Sequence, residues 1–126
     1  PYFINAGQLR TGAAIAGLGE AYAARLRDEG LAADLLFGPS YKGVPLAVAT
    51  AIAVARAGSD IAFCFDRKEA KDHGEGGVFV GTTPWAGARV VIVDDVITSG
   101  KSIHESVALL RDLLSPVTQI SGSVCA

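Results

Sequence analysis

In the stretch VVIVDDVITSGKS, Val90 to Ser102, four aliphatic residues run into two adjacent acids and then into small hydroxyl residues around a glycine. An isolated acidic pair at the end of a buried strand is ordinarily a solvated cap, one carboxylate closing a turn. The residues after Asp94 and Asp95 point elsewhere. Thr98, Ser99, Gly100, Lys101 and Ser102 lead into a predicted helix N-terminus, where unpaired N–H groups and the helix dipole make an anion site. Gly100 permits close backbone approach. A phosphate fits there, but carboxylates beside it would repel it. Their task is then to accept hydrogen bonds from neighbouring hydroxyls, or to hold Mg²⁺ through water. A sugar phosphate offers both partners.

The competing phosphate motif is the nucleotide-binding P-loop, G-x-x-x-x-G-K-[ST], because Gly100, Lys101 and Ser102 match its end. Its first glycine falls at position 95, which is Asp95, and no other strand-to-helix turn has that form. A nucleoside triphosphatase is thereby disfavoured. Two other stretches carry charge in suggestive places. GPSYKG holds Tyr41 and Lys42 in a tight turn, and DRKEAKDHGEGG brings together Arg67, Lys68, Lys71 and His73 beside three closely spaced glycines. Taken alone, a turn lysine is exposed and a charge run is a solvated face.

The elements that hold these stretches follow from periodicity. Ile15, Leu18, Tyr22 and Leu26 recur at helical spacing between Gly12 and Asp28, with Gly30 as a stop. ADLLFG reads as a short buried strand, PSYKG as a turn, and residues 44–56 as an apolar core helix interrupted by Thr50 and ended by Arg56. That apolar run is too short for the roughly 20 residues that span a bilayer. IAFCF is a second strand. Residues 66–83 show no apolar period and are expected to form a long mobile excursion, of the kind that in compact domains is usually functional. RVVIVDD is the next strand. The helix after it is marked by Ser102 and Glu105 in capping-box spacing, with Ile103, Val107, Leu110 and Leu114 as its apolar stripe. A last strand begins near Val117. Alternating strands and helices predict an α/β fold, a parallel sheet with helices on both faces, and a ligand site at the carboxyl ends of the strands, where all three unusual loops fall.

At 126 residues, half of them hydrophobic, the chain suits a single domain over residues 1–126 with a real core. It starts at Pro1 without a methionine and stops at Ala126 inside a strand-like segment, so it is expected to be part of a longer polypeptide, cut at both ends. A net charge of −2 supplies no overall basic field for nucleic acid or an anionic membrane. Cys64 and Cys125, both in apolar surroundings, suit buried free thiols in a reducing cytoplasm better than a disulfide framework. No secretory signal opens the chain.

A hydrophobic run, two acids and a Thr/Ser/Gly loop together are similar to the phosphoribosyl pyrophosphate motif of type I phosphoribosyltransferases. With PYFINAG, FGPSYKGVPLA and FDRKEAKDHGEGG, the chain resembles the orotate phosphoribosyltransferase family over nearly its whole length. The resemblance implies a type I phosphoribosyltransferase fold with a long flexible catalytic loop. It implies transfer of phosphoribosyl from phosphoribosyl pyrophosphate (PRPP) to orotate, in pyrimidine biosynthesis, by a homodimer that shares its active sites. Mg²⁺ is expected on the donor diphosphate, with no direct protein ligand.

Under that resemblance Arg67, Lys68, Lys71 and His73 belong to a loop closing over the diphosphate, largely in the neighbouring subunit's site, with Lys71 the strongest candidate for speeding the chemistry. Tyr41 and Lys42 touch the diphosphate. Asp94 and Asp95 bind the ribose hydroxyls and stabilise positive charge on the ring. Val96, Ile97, Thr98, Ser99, Gly100, Lys101 and Ser102 cradle the 5′-phosphate, Thr98 also lying near orotate. Phe3 and Ile4 match a base-stacking pair that is commonly aromatic at both positions. His104 carries no assigned role, and Trp85 is either a packing anchor or a dimer contact. Two pieces that the family has, an N-terminal lysine at the donor and an arginine for the orotate carboxylate, lie beyond this stretch. Specificity for another base, or a non-catalytic sensor of the donor, are therefore the competing readings.

Overall fold

The computed structural model describes residues 8–71, 77–95, 99–114 and 119–125, with side chains over the same ranges except 70, 71, 112–114 and 119–125. The first helix, α1 (Gly12–Asp28), begins at Thr11, whose extended backbone and side-chain oxygen, accepting from the Ala14 N–H at 3.2 Å, make an N-cap. Its buried residues, Gly19, Tyr22 and Leu26, lie on one face. It ends in a Schellman closure: Leu31 N–H bonds the Leu26 carbonyl, Gly30 N–H bonds that of Arg27, and Gly30 takes φ 63°. The predicted stop at Gly30 is thus explained by a left-handed residue that glycine occupies without strain.

The short strand β1 (Leu35–Gly38) is buried along its whole length and leads into α2 (Gly43–Arg56). Leu46, Ala47, Thr50 and Ala51 face inward, and the Thr50 hydroxyl is satisfied by the Leu46 carbonyl at 2.6 Å. Strands β2 (Ala62–Lys71), β3 (Gly77–Gly81) and β4 (Arg89–Asp94), helix α3 (Lys101–Leu114) and strand β5 (Gln119–Cys125) complete the chain. The sheet order is β3-β2-β1-β4-β5. Strand β1 pairs in parallel with β2 and β4, β4 pairs in parallel with β5, and β3 is antiparallel to β2.

Alternation along the central strands sends their side chains to two cores. Leu36, Val91 and Val93 pack with Tyr22, Leu26, Leu46, Ala47 and Ala51 from α1 and α2. Leu35, Phe37, Val90, Ile92 and Cys64 pack on the other face with Leu110 of α3, joined by the partly buried Ile103 and Val107. Each fully buried aliphatic side chain of this kind contributes about 1.5–3 kcal/mol. Burial, with a smaller contribution from Asp66, pushes the Cys64 thiol up to about 12, so it is an inert core residue. At the opposite end of the sheet from the acidic pair, Arg89 grips Asp34 with Nε at 3.0 Å, Nη2 at 2.8 Å and its backbone N–H at 2.9 Å. Those bonds hold the Asp34 carboxyl down at about 2.

Residues 66–71 and 77–81 depart from the expected excursion. Strand β2 continues through the charged RKEAK to Lys71, and β3 pairs back on it, Phe65 opposite Val80 and Asp66 opposite Phe79, with a register shift before Lys71. An edge hairpin is held by backbone bonds and needs no apolar period on both strands. The signal lay in GVFVG, whose Phe79 packs edge-on against Phe37 at 6.1 Å between ring centroids. Residues 72–76, with His73, lie outside the described residues. Among the described residues no helix is long and apolar enough to cross a membrane.

Candidate active site

The carboxyl ends of β2, β1 and β4 lie side by side, and each delivers one of the three unusual loops. After β1 the chain must reverse within a few residues to start α2 over the same sheet. Gly38 and Gly43 make that reversal possible: a Cβ on Gly43 would lie 2.6 Å from Pro39 Cδ and 2.8 Å from the Val93 carbonyl oxygen, and one on Gly38 would collide with the Gly43 backbone. The Ser40–Tyr41 peptide is cis. Ser40 ties this turn to β2 twice, its N–H donating to Asp66 Oδ1 at 2.8 Å and its hydroxyl to the Asp66 carbonyl. Tyr41 stands 74% exposed. Lys42, in the same turn, reaches the residue just after β4, its Nζ 3.4 Å from Asp95 Oδ2.

The two acids are not equivalent. Asp94 is 5% exposed, and its carboxylate is occupied internally: Oδ1 accepts the Asp95 N–H at 2.9 Å and Oδ2 accepts the Ser102 hydroxyl at 2.8 Å. Its carbonyl accepts the Tyr22 hydroxyl, donated from α1 at 2.9 Å. Asp95 is the acid beside the exposed Lys42 ammonium.

Ser102 also departs from the expected capping box. Its hydroxyl goes to Asp94 and not to an amide of its own helix, and Glu105 lies 3.8 Å from Lys101 Nζ. The His104 N–H bonds the Gly100 carbonyl at 2.9 Å, so Gly100 immediately precedes the helix and Ser102 falls in its first turn. Ser102 lies inside the first turn and not before it, so it is not placed to cap, and its hydroxyl donates instead to the Asp94 carboxylate in a charge-assisted bond. The Ser99 hydroxyl accepts the Lys101 N–H at 3.3 Å.

Among the other candidates, Arg67 is half-buried beside the Ser40–Tyr41 turn, its Nε shielded from solvent with no partner among the described residues. Lys68, Ser99 and Lys101 are exposed, Gly100 is half-buried, and Lys71 closes β2. Phe3, Ile4, His73, Val96, Ile97 and Thr98 lie outside the described residues. His104 is exposed on α3, in keeping with a surface histidine. Sequence reasoning missed Tyr22, which spacing marks only as part of an apolar stripe, and the Ser40–Asp66 pair, which nothing in spacing links.

An open, mostly parallel sheet with helices on both faces, and an acidic pair leading into a helix N-terminus, together define a phosphoribosyltransferase-type domain. The family model for the phosphoribosyl transferase domain matches residues 5–113, and the chain belongs to that family. It is 56% identical over 115 residues to an orotate phosphoribosyltransferase of Bordetella petrii, covering 88% of this chain and 50% of that protein. It is 59% identical over 112 residues to that of Thioalkalivibrio sulfidiphilus, covering 88% of this chain and 52% of the relative. The crystal structure of the Francisella tularensis orotate phosphoribosyltransferase superposes with a TM-score of 0.83 at 38% identity, over all of this chain and 57% of that one. The chain therefore spans about half the length of the curated relatives it matches.

Proposed function

We propose that the protein transfers the phosphoribosyl group of PRPP to orotate, giving orotidine 5′-monophosphate and diphosphate. The observation that carries this is the meeting of the ends of β2, β1 and β4, with Lys42 beside Asp95 and Asp94 bonded to Ser102 in the first turn of α3. Orotate as the acceptor rests on the relatives that bear that name at 56% and 59% identity.

In the reaction a bond forms from N1 of orotate to C1 of the ribose as the N1–H proton is given up to water or the departing diphosphate, while the C1–O bond to diphosphate breaks and its electron pair leaves on the diphosphate. Positive charge grows on the ring and negative charge on the leaving group. Preorganised groups of opposite sign meet these changes without reorganising. Asp95 faces the ring and accepts from its hydroxyls. Lys42 and Tyr41 lie on the diphosphate side, with Arg67, Lys68, Lys71 and His73 supplied by the hairpin, largely to the neighbouring subunit of a homodimer. Residues 96–102 hold the 5′-phosphate by backbone N–H groups at the start of α3, and Phe3 and Ile4 stack on the base. Asp94 acts through the turn it organises.

Among the described residues no group of three or more His, Cys, Asp or Glu could hold a metal ion. Asp94 is committed to internal donors, so Mg²⁺ would be held by the oxygens of the diphosphate, with Asp95 within reach through water. Bound there, it would offset the charge of the leaving group. The buried free thiol of Cys64 and a diffusible sugar diphosphate both suit a cytoplasmic setting.

The test is formation of orotidine 5′-monophosphate from orotate, PRPP and Mg²⁺ by the full-length protein, with hypoxanthine and uracil as controls. Product from orotate alone supports the proposal. Product from a control base reassigns the acceptor, and donor binding without turnover on any base identifies a sensor of the donor.

A further inference from the structure

The acidic turn is held by a residue far from it in the chain. Tyr22 lies on α1, 5% exposed, its ring packed in the core shared by α1, α2 and the sheet. A phenylalanine would fill the same apolar space. The hydroxyl adds a buried bond to the Asp94 carbonyl at 2.9 Å.

That carbonyl belongs to the peptide unit joining Asp94 to Asp95, and the N–H of the same unit donates to Asp94 Oδ1 at 2.9 Å. A peptide unit is planar, so its remaining freedom is rotation about the line between its two Cα atoms. Fixing its oxygen from one side and its hydrogen from the other removes that freedom. The orientation of this plane sets the direction in which the Asp95 side chain leaves the backbone. The second carboxylate oxygen of Asp94 accepts from Ser102 in the first turn of α3, so the same arrangement fixes the acid relative to the helix start. We propose that Tyr22 is a positioning residue whose hydroxyl locks the Asp94–Asp95 peptide and thereby aims the Asp95 carboxylate at the ribose; the last clause rests on the proposed transfer reaction.

The test uses the full-length chain. Tyr22→Phe is expected to lower kcat/KM for PRPP about 2- to 12-fold, the span of one net hydrogen bond. In an Asp95→Asn background the same change is expected to cost nothing further, because the carboxylate to be aimed is gone, and contacting residues depart from additivity in this way. Leu18→Ala, on the same helix and packed against the same core, controls for lost stability, which alone leaves kcat/KM unchanged.

A second readout needs no turnover. Amide exchange of the Asp95 N–H, followed by NMR on the ligand-free protein, is expected to quicken in Tyr22→Phe while Leu36 in β1 keeps its protection. Unchanged exchange at Asp95 overturns the lock. Faster exchange with unaltered kcat/KM, or a Tyr22→Phe cost that persists in full without the Asp95 carboxylate, overturns the aiming. If the wild-type protein makes no nucleotide from orotate, the functional proposal fails, and the exchange measurement still decides the lock.

Discussion

Asp94→Ala separates two acids that sit side by side in the chain and do different work. The Asp94 carboxylate is 5% exposed and accepts from the Asp95 N–H at 2.9 Å and the Ser102 hydroxyl at 2.8 Å. Truncation leaves both donors without that acceptor where water has little access. A stranded buried donor costs about 1–3 kcal/mol, and the half-buried Ser102 hydroxyl, which can turn towards solvent, loses one net hydrogen bond of about 1 kcal/mol, so the expected loss is about 2–4 kcal/mol. With a urea slope of about 2 kcal/mol per M, the middle of the usual range, the unfolding midpoint falls by about 1–2 M. Asp95 differs: its carboxylate, 14% exposed, pairs with a Lys42 side chain that is 73% exposed, and a bridge open to solvent on its lysine side contributes about 1 kcal/mol. Asp95→Ala is therefore expected to lose less stability than Asp94→Ala and to lose turnover with PRPP. Urea melts of both variants, followed by circular dichroism, with kcat and KM on the same samples, check this. An Asp94→Ala midpoint within error of wild type, or a larger drop for Asp95→Ala, would refute the division of labour between the two acids.

Lys71→Ala is expected to lower kcat by the equivalent of about 2–4 kcal/mol and to change donor affinity far less; an unaltered rate in a steady-state assay would remove the hairpin from the chemistry. Mixing Lys71→Ala subunits with Asp95→Asn subunits is expected to restore part of the activity, because one composite site then has both intact groups. Heterodimers shown to be present yet inactive would count against shared sites. For Asp34, the folded carboxyl lies at about 2, below the ordinary value near 3.9. Its contribution to stability is therefore present above about pH 4 and is lost as pH falls towards 2. Asp34→Asn is expected to flatten that part of the acid-unfolding curve, and an identical curve would show that the Arg89 fork adds nothing.

The helices and central strands were legible because their buried faces repeat at 3.6 or 2 residues: Tyr22 and Leu26 on α1, Leu46, Ala47 and Thr50 on α2, and the unbroken apolar runs of β1 and β4. Gly30 could be read as a stop because its positive φ is a local demand. The hairpin β2–β3 was obscured, since its outer half is charged and its stability comes from pairing between strands, which composition along one segment does not reveal. The capping box at Ser102 and Glu105 failed for a related reason. Its spacing is local, but the acceptor that claims the Ser102 hydroxyl, Asp94 Oδ2, comes from the preceding strand.

The site shows the same division between local and distant causes. DDVITSGKS announces a turn that can hold an anion, because helix start, glycine and hydroxyls are neighbours in the chain. The contacts that assemble the site depend instead on sheet order. Strand β1 lies between β2 and β4, so the short turn after it lies next to the ends of both neighbours. Ser40 can therefore bond Asp66 on one side while Lys42 reaches Asp95 on the other. Had β4 paired with β2 directly, every local motif would survive and neither contact would form. Each loop's residue types are set by its own stretch of sequence, and the strand order brings Asp66, Ser40, Lys42 and Asp95 together at one end of the sheet.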